Sequence, residues 1–300
     1  METPGKDSTP HTTVLSDDNI KQVEFPWDYF VTAFAFSWFF WGIAFLLGLN
    51  NEPVTASTDA QNLLAAASPL MLLLMLIGVF GPFFSTFILT YRQQGRAGIA
   101  ALWRSGWKIN IGWSWLCIIF LLFPVIKIVS LLIAGVGISF GAFSQPLTLL
   151  GMALFMYFLG GPFGEEFGWR GYALPRLLQK HKPVNASLML GLFWVAWHLP
   201  LFIIAGSPQA QLPLLPWAIS VLSVTIIMTW VYLNTGGVVF AAIALHFSSN
   251  WSNSLFLPAD GIMSGWGRPE NIGVIIQALI ALLLIVFFIM TRKKSTQNSI

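Results

Sequence analysis

The sequence predicts an all-α fold: a polytopic integral membrane helical bundle of about eight transmembrane helices, with N and C termini cytoplasmic. Three observations predict it. Apolar residues make up 56% of the chain and charged residues only 9%, where a soluble domain carries about 25% charge. The mean hydropathy is +0.73. Apolar stretches of about 20 residues, the length a helix needs to cross the hydrocarbon core, recur along the chain.

The spans fall at about 30–49, 68–91, 110–134, 146–169, 184–206, 214–233, 237–257 and 273–291. The fourth can run on to Arg176, and only Asn234-Thr235-Gly236-Gly237 separates the sixth from the seventh. Pro82, Pro124 and Pro162 are expected to kink their helices, because proline removes a backbone donor. Residues 1–28 are polar and lack the short apolar core and small-residue cleavage site of a secretory signal, so they read as a flexible cytoplasmic tail. Residues 29–294 form one integral membrane domain, and 295–300 a polar C-terminal tail.

Charge sets the orientation. The 92–108 loop carries Arg92, Arg96, Arg104 and Lys108; Arg176, Lys180 and Lys182 follow the fourth span; Arg292, Lys293 and Lys294 follow the last. The alternate loops hold Glu52, Asp59, Asp260 and Glu270, with Arg268 as their only base. Basic loops stay cytoplasmic. The 92–108 loop, with Trp103 and Trp107, reads as an interfacial anchor in which Gly95, Gly98 and Gly106 weaken any helix. The basic residues flank apolar spans, so no nucleic-acid partner is expected. Cys117 is the single cysteine, which excludes an internal disulfide and leaves a buried, inert thiol. Lys127 is expected to snorkel from the outer end of the third span, and His11 and His181 to be exposed. No internal repeat is visible.

Between Asp59 and Asp260 there are two acidic side chains, and they are adjacent: Glu165 and Glu166. An ionisable group at bilayer depth costs a few kcal/mol or more and marks a functional site by default. Glu166 and Arg170 are four apart with the acid first, the favoured order for a helical pair, and are read as a support that fixes the helix. Glu165 points about 100° away and is free for another task. His198 lies inside the apolar stretch from Leu188 to Ile204. His246 and Asn250, four apart, share one face of the seventh span.

At 1.5 Å per residue, Glu165 lies about 16 Å above Arg176, His246 about 14 Å above Gly237 and His198 about 22 Å above Pro183. These depths allow one cavity, expected to open to the cytoplasm. A carboxylate, two imidazoles and an amide in a half-dry pocket form a hydrolytic set. The carboxylate can act as base toward water, and N–H groups can hold an oxyanion. The same groups suit a metal, with Glu165, His198 and His246 as ligands to Zn2+. Sequence leaves both mechanisms open. Each residue also has a duller reading: a lone intramembrane histidine or asparagine often bonds helix to helix.

At these residues the sequence resembles the CPBP (Abi/CAAX protease) family of intramembrane endopeptidases, related to the CAAX prenyl proteases. The family pattern is Glu-Glu-x-x-x-Arg, then aromatic-x-x-x-His, then His-x-x-x-Asn or Asp. Here these are Glu165, Glu166 and Arg170; Trp194 to His198; and His246 to Asn250. The Gly171-Tyr172-Ala173-Leu174-Pro175-Arg176-Leu177 run also looks like family sequence. The family usually has Phe where this chain has Trp194, and an aromatic ring packs there either way. The resemblance covers about residues 145–255 as a catalytic core. It implies an intramembrane endopeptidase that cuts the C-terminal or juxtamembrane region of a protein or peptide, as in CAAX processing. Glu165 would activate water, His198, His246 and Asn250 would complete the site, and Glu166 and Arg170 would hold the helix. The family is often labelled metalloprotease although its zinc is in doubt, so Zn2+ is carried as a cofactor beside a metal-independent site.

Two other functions compete. Some family members resemble self-immunity factors against bacteriocins, which would make this a non-catalytic peptide-binding membrane protein. A proton-coupled transporter is the third, disfavoured by the lack of inverted repeats. The partners expected are a peptide substrate and the lipid bilayer. The location expected is a bacterial plasma membrane, with the active site facing the cytoplasmic side. Substrate identity and oligomeric state are not legible.

Overall fold

Prolines and one serine set where many helices begin. Ser68 accepts the Met71 amide hydrogen, and Pro69, Pro146, Pro162 and Pro183 each stand in a first helical turn, where a missing N–H costs nothing. The computed structural model describes residues 25–48, 68–139, 141–258 and 269–297. The expected tail up to residue 24 lies outside them.

The described chain is helical throughout, in the order α1 (Trp27–Gly48), α2 (Pro69–Val79), α3 (Gly81–Ser105), α4 (Trp113–Ile133) and α5 (Pro146–Phe158). Then follow α6 (Pro162–Gly168), a π-helical turn over Trp169–Ala173, α7 (Leu174–Lys180), α8 (Pro183–His198), α9 (Leu214–Asn234), α10 (Val239–Leu255) and α11 (Pro269–Gln297). The exception is a two-residue antiparallel pairing of Ile138–Ser139 with Leu257–Pro258. The all-α membrane bundle is therefore as expected.

Among the described residues, six stretches are long and apolar enough to cross a membrane, or seven if the pair α2 and α3, bent by 41°, forms one span. The expected count was about eight. The remaining segment is α10, whose 17 residues give about 25 Å of helix, short of the roughly 30 Å core. Its second half is polar, with Ser248, Ser249, Asn250, Ser252 and Asn253.

Of the expected kinks, the bend before Pro82 and the break before Pro162 are present, whereas Pro124 sits inside the continuous α4. The expected 92–108 loop is a correction: α3 continues through it to Ser105, broken only at Gly95, whose φ of +62° suits glycine alone. Packing outweighs propensity there. Trp103 stacks on Phe167 at 5.8 Å, and Trp107 leans on Phe163 at 5.9 Å.

With lipid as apolar as leucine, the helices associate through close packing and interhelical hydrogen bonds. Phe30 of α1 stacks on Phe193 of α8 at 3.8 Å between centroids. The Trp41 indole donates to the Met75 carbonyl at 3.0 Å, and the Trp38 indole to the Trp197 carbonyl at 2.9 Å. Trp41, Trp169, Trp197, Tyr29 and Tyr172 are fully buried, whereas Leu279, Leu282, Leu283 and Val286 of α11 face outward.

The two ends of the bundle differ. At one, Gln93 joins α3 to Tyr172 (2.7 Å) and accepts from Arg176 (2.8 Å), beside Asp28 of α1. At the other, Lys127 and Glu270 lie 3.1 Å apart. Lys127 does not snorkel as expected: it is 6% exposed and pairs with Glu270, tying α4 to α11. Cys117 is half-buried rather than buried, and His181 is half-buried rather than exposed.

Candidate active site

The Gly160-Gly161-Pro162 sequence breaks the fourth span and aims its carboxylates. Gly161 has φ +115°, and a Cβ there would stand 2.6 Å from Glu165 Oε1, so the position demands glycine on both counts. Its carbonyl accepts the Glu165 amide hydrogen at 2.9 Å as α6 starts. The π-helical turn that follows carries Arg170, and single π-turns inside α-helices recur at functional sites.

The three motifs converge in the bundle interior. Exposure is 4% for Glu165, 8% for His198, 6% for His246 and 0% for Glu166 and Arg170. Arg170 Nη1 reaches both Glu166 oxygens, at 2.8 and 2.9 Å. Glu166 Oε1 also lies 2.8 Å from His246 Nδ1, so this carboxylate joins α6 to α10 as well as fixing its own helix. The Trp194 indole donates to Glu165 Oε2 at 2.6 Å. Its ring meets His246 edge-on at 5.2 Å and lies 4.5 Å from the Arg170 guanidinium carbon.

Hydrogen bonding assigns the histidine tautomers. His198 Nδ1 lies 2.8 Å from the Trp194 carbonyl and His246 Nδ1 lies 2.8 Å from the Glu166 carboxylate. Both partners accept only, so each Nδ1 carries its hydrogen, and Nε2 is the nitrogen that a neutral ring would offer as acceptor. Of the residues expected to hold an oxyanion, Asn250 has the N–H groups to donate without protonation.

A cavity of about 410 Å³ opens beside these groups, lined by Glu165, Trp194, His198, His246 and Asn250. All four residues expected to be catalytic meet there, while Glu166 and Arg170 lie behind them. The cavity also takes in residues that the motifs do not show: Trp217, Ser220, Gln209, Ser249 and Asn253. Trp217 stands edge-on to His198 at 5.1 Å. Two of the missed features had a signal. Gly160-Gly161-Pro162 is a breaker inside an apolar run, and tryptophan in place of phenylalanine adds a donor.

The cavity opens at one end of the bundle. Its lining comes from the C-terminal part of α8, the first turns of α9, the second half of α10 and the connection at Pro208, Gln209 and Leu212. These lie at the end opposite the 92–108 and 176–182 basic segments. On the basic side the site is closed by the buried Glu166–Arg170 pair, with Trp169, Tyr172 and Tyr29.

Among the described residues, no three His, Cys, Asp or Glu side chains are grouped so as to hold a metal ion. Glu165 is spoken for on one oxygen by Trp194, and His246 is turned by Glu166.

A helical membrane bundle that buries a carboxylate, two imidazoles and an amide around an open chamber defines an intramembrane enzyme class. A family model described as type II CAAX prenyl endopeptidase, Rce1-like, matches residues 146–252. Over 202 residues the chain is 30% identical to CAAX prenyl protease 2 of Methanococcus maripaludis, an alignment covering 63% of this chain and 74% of that protein. The chain belongs to the Rce1-like CAAX prenyl endopeptidase family, a family of membrane-embedded proteases.

Proposed function

We propose that this protein is an intramembrane endopeptidase in which Glu165 activates water against a peptide carbonyl. The observation that carries the reading is the placement of Glu165: 4% exposed, held on Oε2 by Trp194, and lining the same cavity as His198, His246 and Asn250.

The sequence of events follows from those atoms. A water molecule donates one hydrogen bond to Glu165 and another to Nε2 of His198 or His246. Glu165 takes a proton as the water oxygen bonds to the carbonyl carbon. The negative charge that develops on the carbonyl oxygen meets the Asn250 amide, a donor worth about 3 kcal/mol when preorganised. The tetrahedral intermediate collapses, the C–N bond breaks, and the proton on Glu165 passes to the leaving amine. Glu166 and Arg170 touch no reacting atom. They hold His246 and Trp194, and through Trp194 they hold Glu165. No step runs through a metal.

The substrate class is an extended segment of a protein or peptide. The relative's name speaks of CAAX prenyl substrates, and this reading extends that only as far as a cut within a C-terminal or juxtamembrane segment.

The test is cleavage of a quenched-fluorescent peptide library by purified protein in detergent, wild type against Glu165→Gln, with and without chelator. Wild type should cleave, and Glu165→Gln should lose about 10²-fold or more, the usual contribution of a general base. Full activity in Glu165→Gln would sink the reading. A chelator-sensitive rate would replace the water-activating scheme with one in which Glu165, His198 and His246 bind Zn2+. Retention of peptides without cleavage would leave the binding or self-immunity role.

A further inference from the structure

Lys127 is a buried cation outside the three motifs. It lies in α4, with 7% of its side chain exposed, and its ammonium stands 3.1 Å from Glu270 Oε1. A second cavity of about 260 Å³ reaches both residues. It shares Leu212, Ser220, Ser249 and Asn253 with the reaction chamber, so the two voids meet along one wall. Among the described residues, Lys127 is the one lysine or arginine that lines either cavity. The separation is short. His246 and Asn253 are seven residues apart on α10, about 10 Å along the helix, and about three extended residues cover that span.

The pairing of Lys127 with Glu270 is uneven. Lys127 has three hydrogens to donate, and a buried ammonium left without an anion is strongly unfavourable. Glu270 is differently placed. It stands in the first turn of α11, its side chain is 30% exposed, and its Oε2 is buried without a hydrogen-bond partner among the described residues. Glu270 thus loses little by returning to water, whereas Lys127 needs an anion where it is. The surroundings of Lys127 suit a carboxylate at the end of a peptide. Ser220 donates to Gln277 Oε1 at 2.6 Å, so the Gln277 amide nitrogen has its hydrogens to give. Phe123, Ile126 and Val274 also line this cavity and match short apolar side chains.

We propose that Lys127 receives the free C-terminal carboxylate of the substrate, and that Glu270 holds its place until the substrate arrives. The proposal rests on the hydrolytic reading of the chamber and adds to it a residue that selects the substrate. A segment lying across Glu165 runs on past Ser249 and Asn253 into the second cavity. Its carboxylate displaces Glu270 from the Lys127 ammonium and takes over the charge-assisted hydrogen bond, and Glu270 swings into solvent. No covalent bond is made or broken in this exchange. A polypeptide with no free end within reach, or with its end amidated, has no anion to offer Lys127. Lys127 therefore favours the end of a chain over an internal segment.

The test compares one peptide library in two forms, with a free C-terminal carboxylate and with a C-terminal amide, on the purified full chain in detergent. Wild type should favour the free acid by about tenfold or more in KM, the size of one hydrogen bond to a charged group, with a smaller change in kcat. Lys127→Gln should erase the difference, Lys127→Arg should keep it, and Glu270→Gln should lower KM for the free acid by removing its competitor. Equal KM values for acid and amide in wild type overturn the proposal, as does an unchanged preference in Lys127→Gln. A purely structural tie between α4 and α11 would instead lower the melting temperature of both variants and leave the preference intact, which also overturns it. Should Lys127→Gln fail to fold, the acid and amide comparison in wild type and the KM of Glu270→Gln carry the test. Binding without turnover is read from the melting temperature with N-acetyl-Val-Val-Ala, as acid and as amide. The acid alone should raise it in wild type, and not in Lys127→Gln. If no library peptide is cleaved, the failure belongs to the hydrolytic reading and this shift decides. Its presence in wild type and loss in Lys127→Gln support the proposal, and an equal response to acid and amide overturns it.

Discussion

The Trp194 indole donates to Glu165 Oε2 at 2.6 Å, binding the second motif to the first. Phenylalanine, usual at this position in the family that the motifs resemble, has no hydrogen to give. In this chain the ring fills its place and also holds the carboxylate. A hydrogen bond to a charged group contributes about 1.5–3 kcal/mol net, enough to keep Glu165 in one rotamer.

Trp194→Phe should therefore separate packing from orientation. The ring remains against His246 and the donor is lost. We expect kcat to fall about tenfold as Glu165 samples unproductive rotamers, with KM and thermal stability close to wild type. Steady-state kinetics on a cleaved peptide, with a melting curve in detergent, check it. An equal fall in stability would make Trp194 a packing residue only.

Glu166 shares one oxygen between Arg170 and His246, with both Glu166 and Arg170 fully buried. Removing one partner of such a pair costs about 3–5 kcal/mol, because the other charge is left uncompensated. Arg170→Met should therefore lower the melting temperature sharply and reduce the yield of folded protein. The double variant Arg170→Met/Glu166→Gln should recover part of that stability but not activity, since His246 loses its anionic partner. Recovery of activity in the double variant would contradict the link from Glu166 to His246.

Gly161 is the third point of leverage. An added methyl would stand 2.6 Å from Glu165 Oε1, on a backbone with φ +115°. Backbone strain of that kind costs about 1–3 kcal/mol, and the carboxylate must move as well. Gly161→Ala should lower kcat by more than Trp194→Phe does, while Gly151→Ala, with open space at its Cβ on α5, should be neutral. Peptide cleavage by the two alanine variants checks this, and equal activities would refute it.

Much of this molecule was legible because lipid imposes strong rules. Composition and the recurrence of apolar runs determined an all-α membrane bundle, since only helices and closed barrels satisfy their backbone in hydrocarbon. The isolation of Glu165 and Glu166, His198, and His246 with Asn250 pointed to one site, because buried ionisable groups are too costly to scatter. Local propensity was a poorer guide. Gly95, Gly98 and Gly106 read as a loop, yet α3 runs through two of them because Trp103 and Trp107 pack on Phe167 and Phe163. Lys127 read as a snorkelling side chain, because its partner Glu270 lies 143 positions away.

The sequence by itself determined the helical membrane bundle, the segments that carry the basic residues and the ionisable side chains set inside apolar spans, since each follows from local composition and helical spacing. Only the tertiary structure decided that Trp194 holds Glu165, that Glu166 serves His246, and that the chamber lies on the far side from the basic loops. Those relations join helices distant in sequence, and hydrogen-bond direction and void position exist only once the helices have packed.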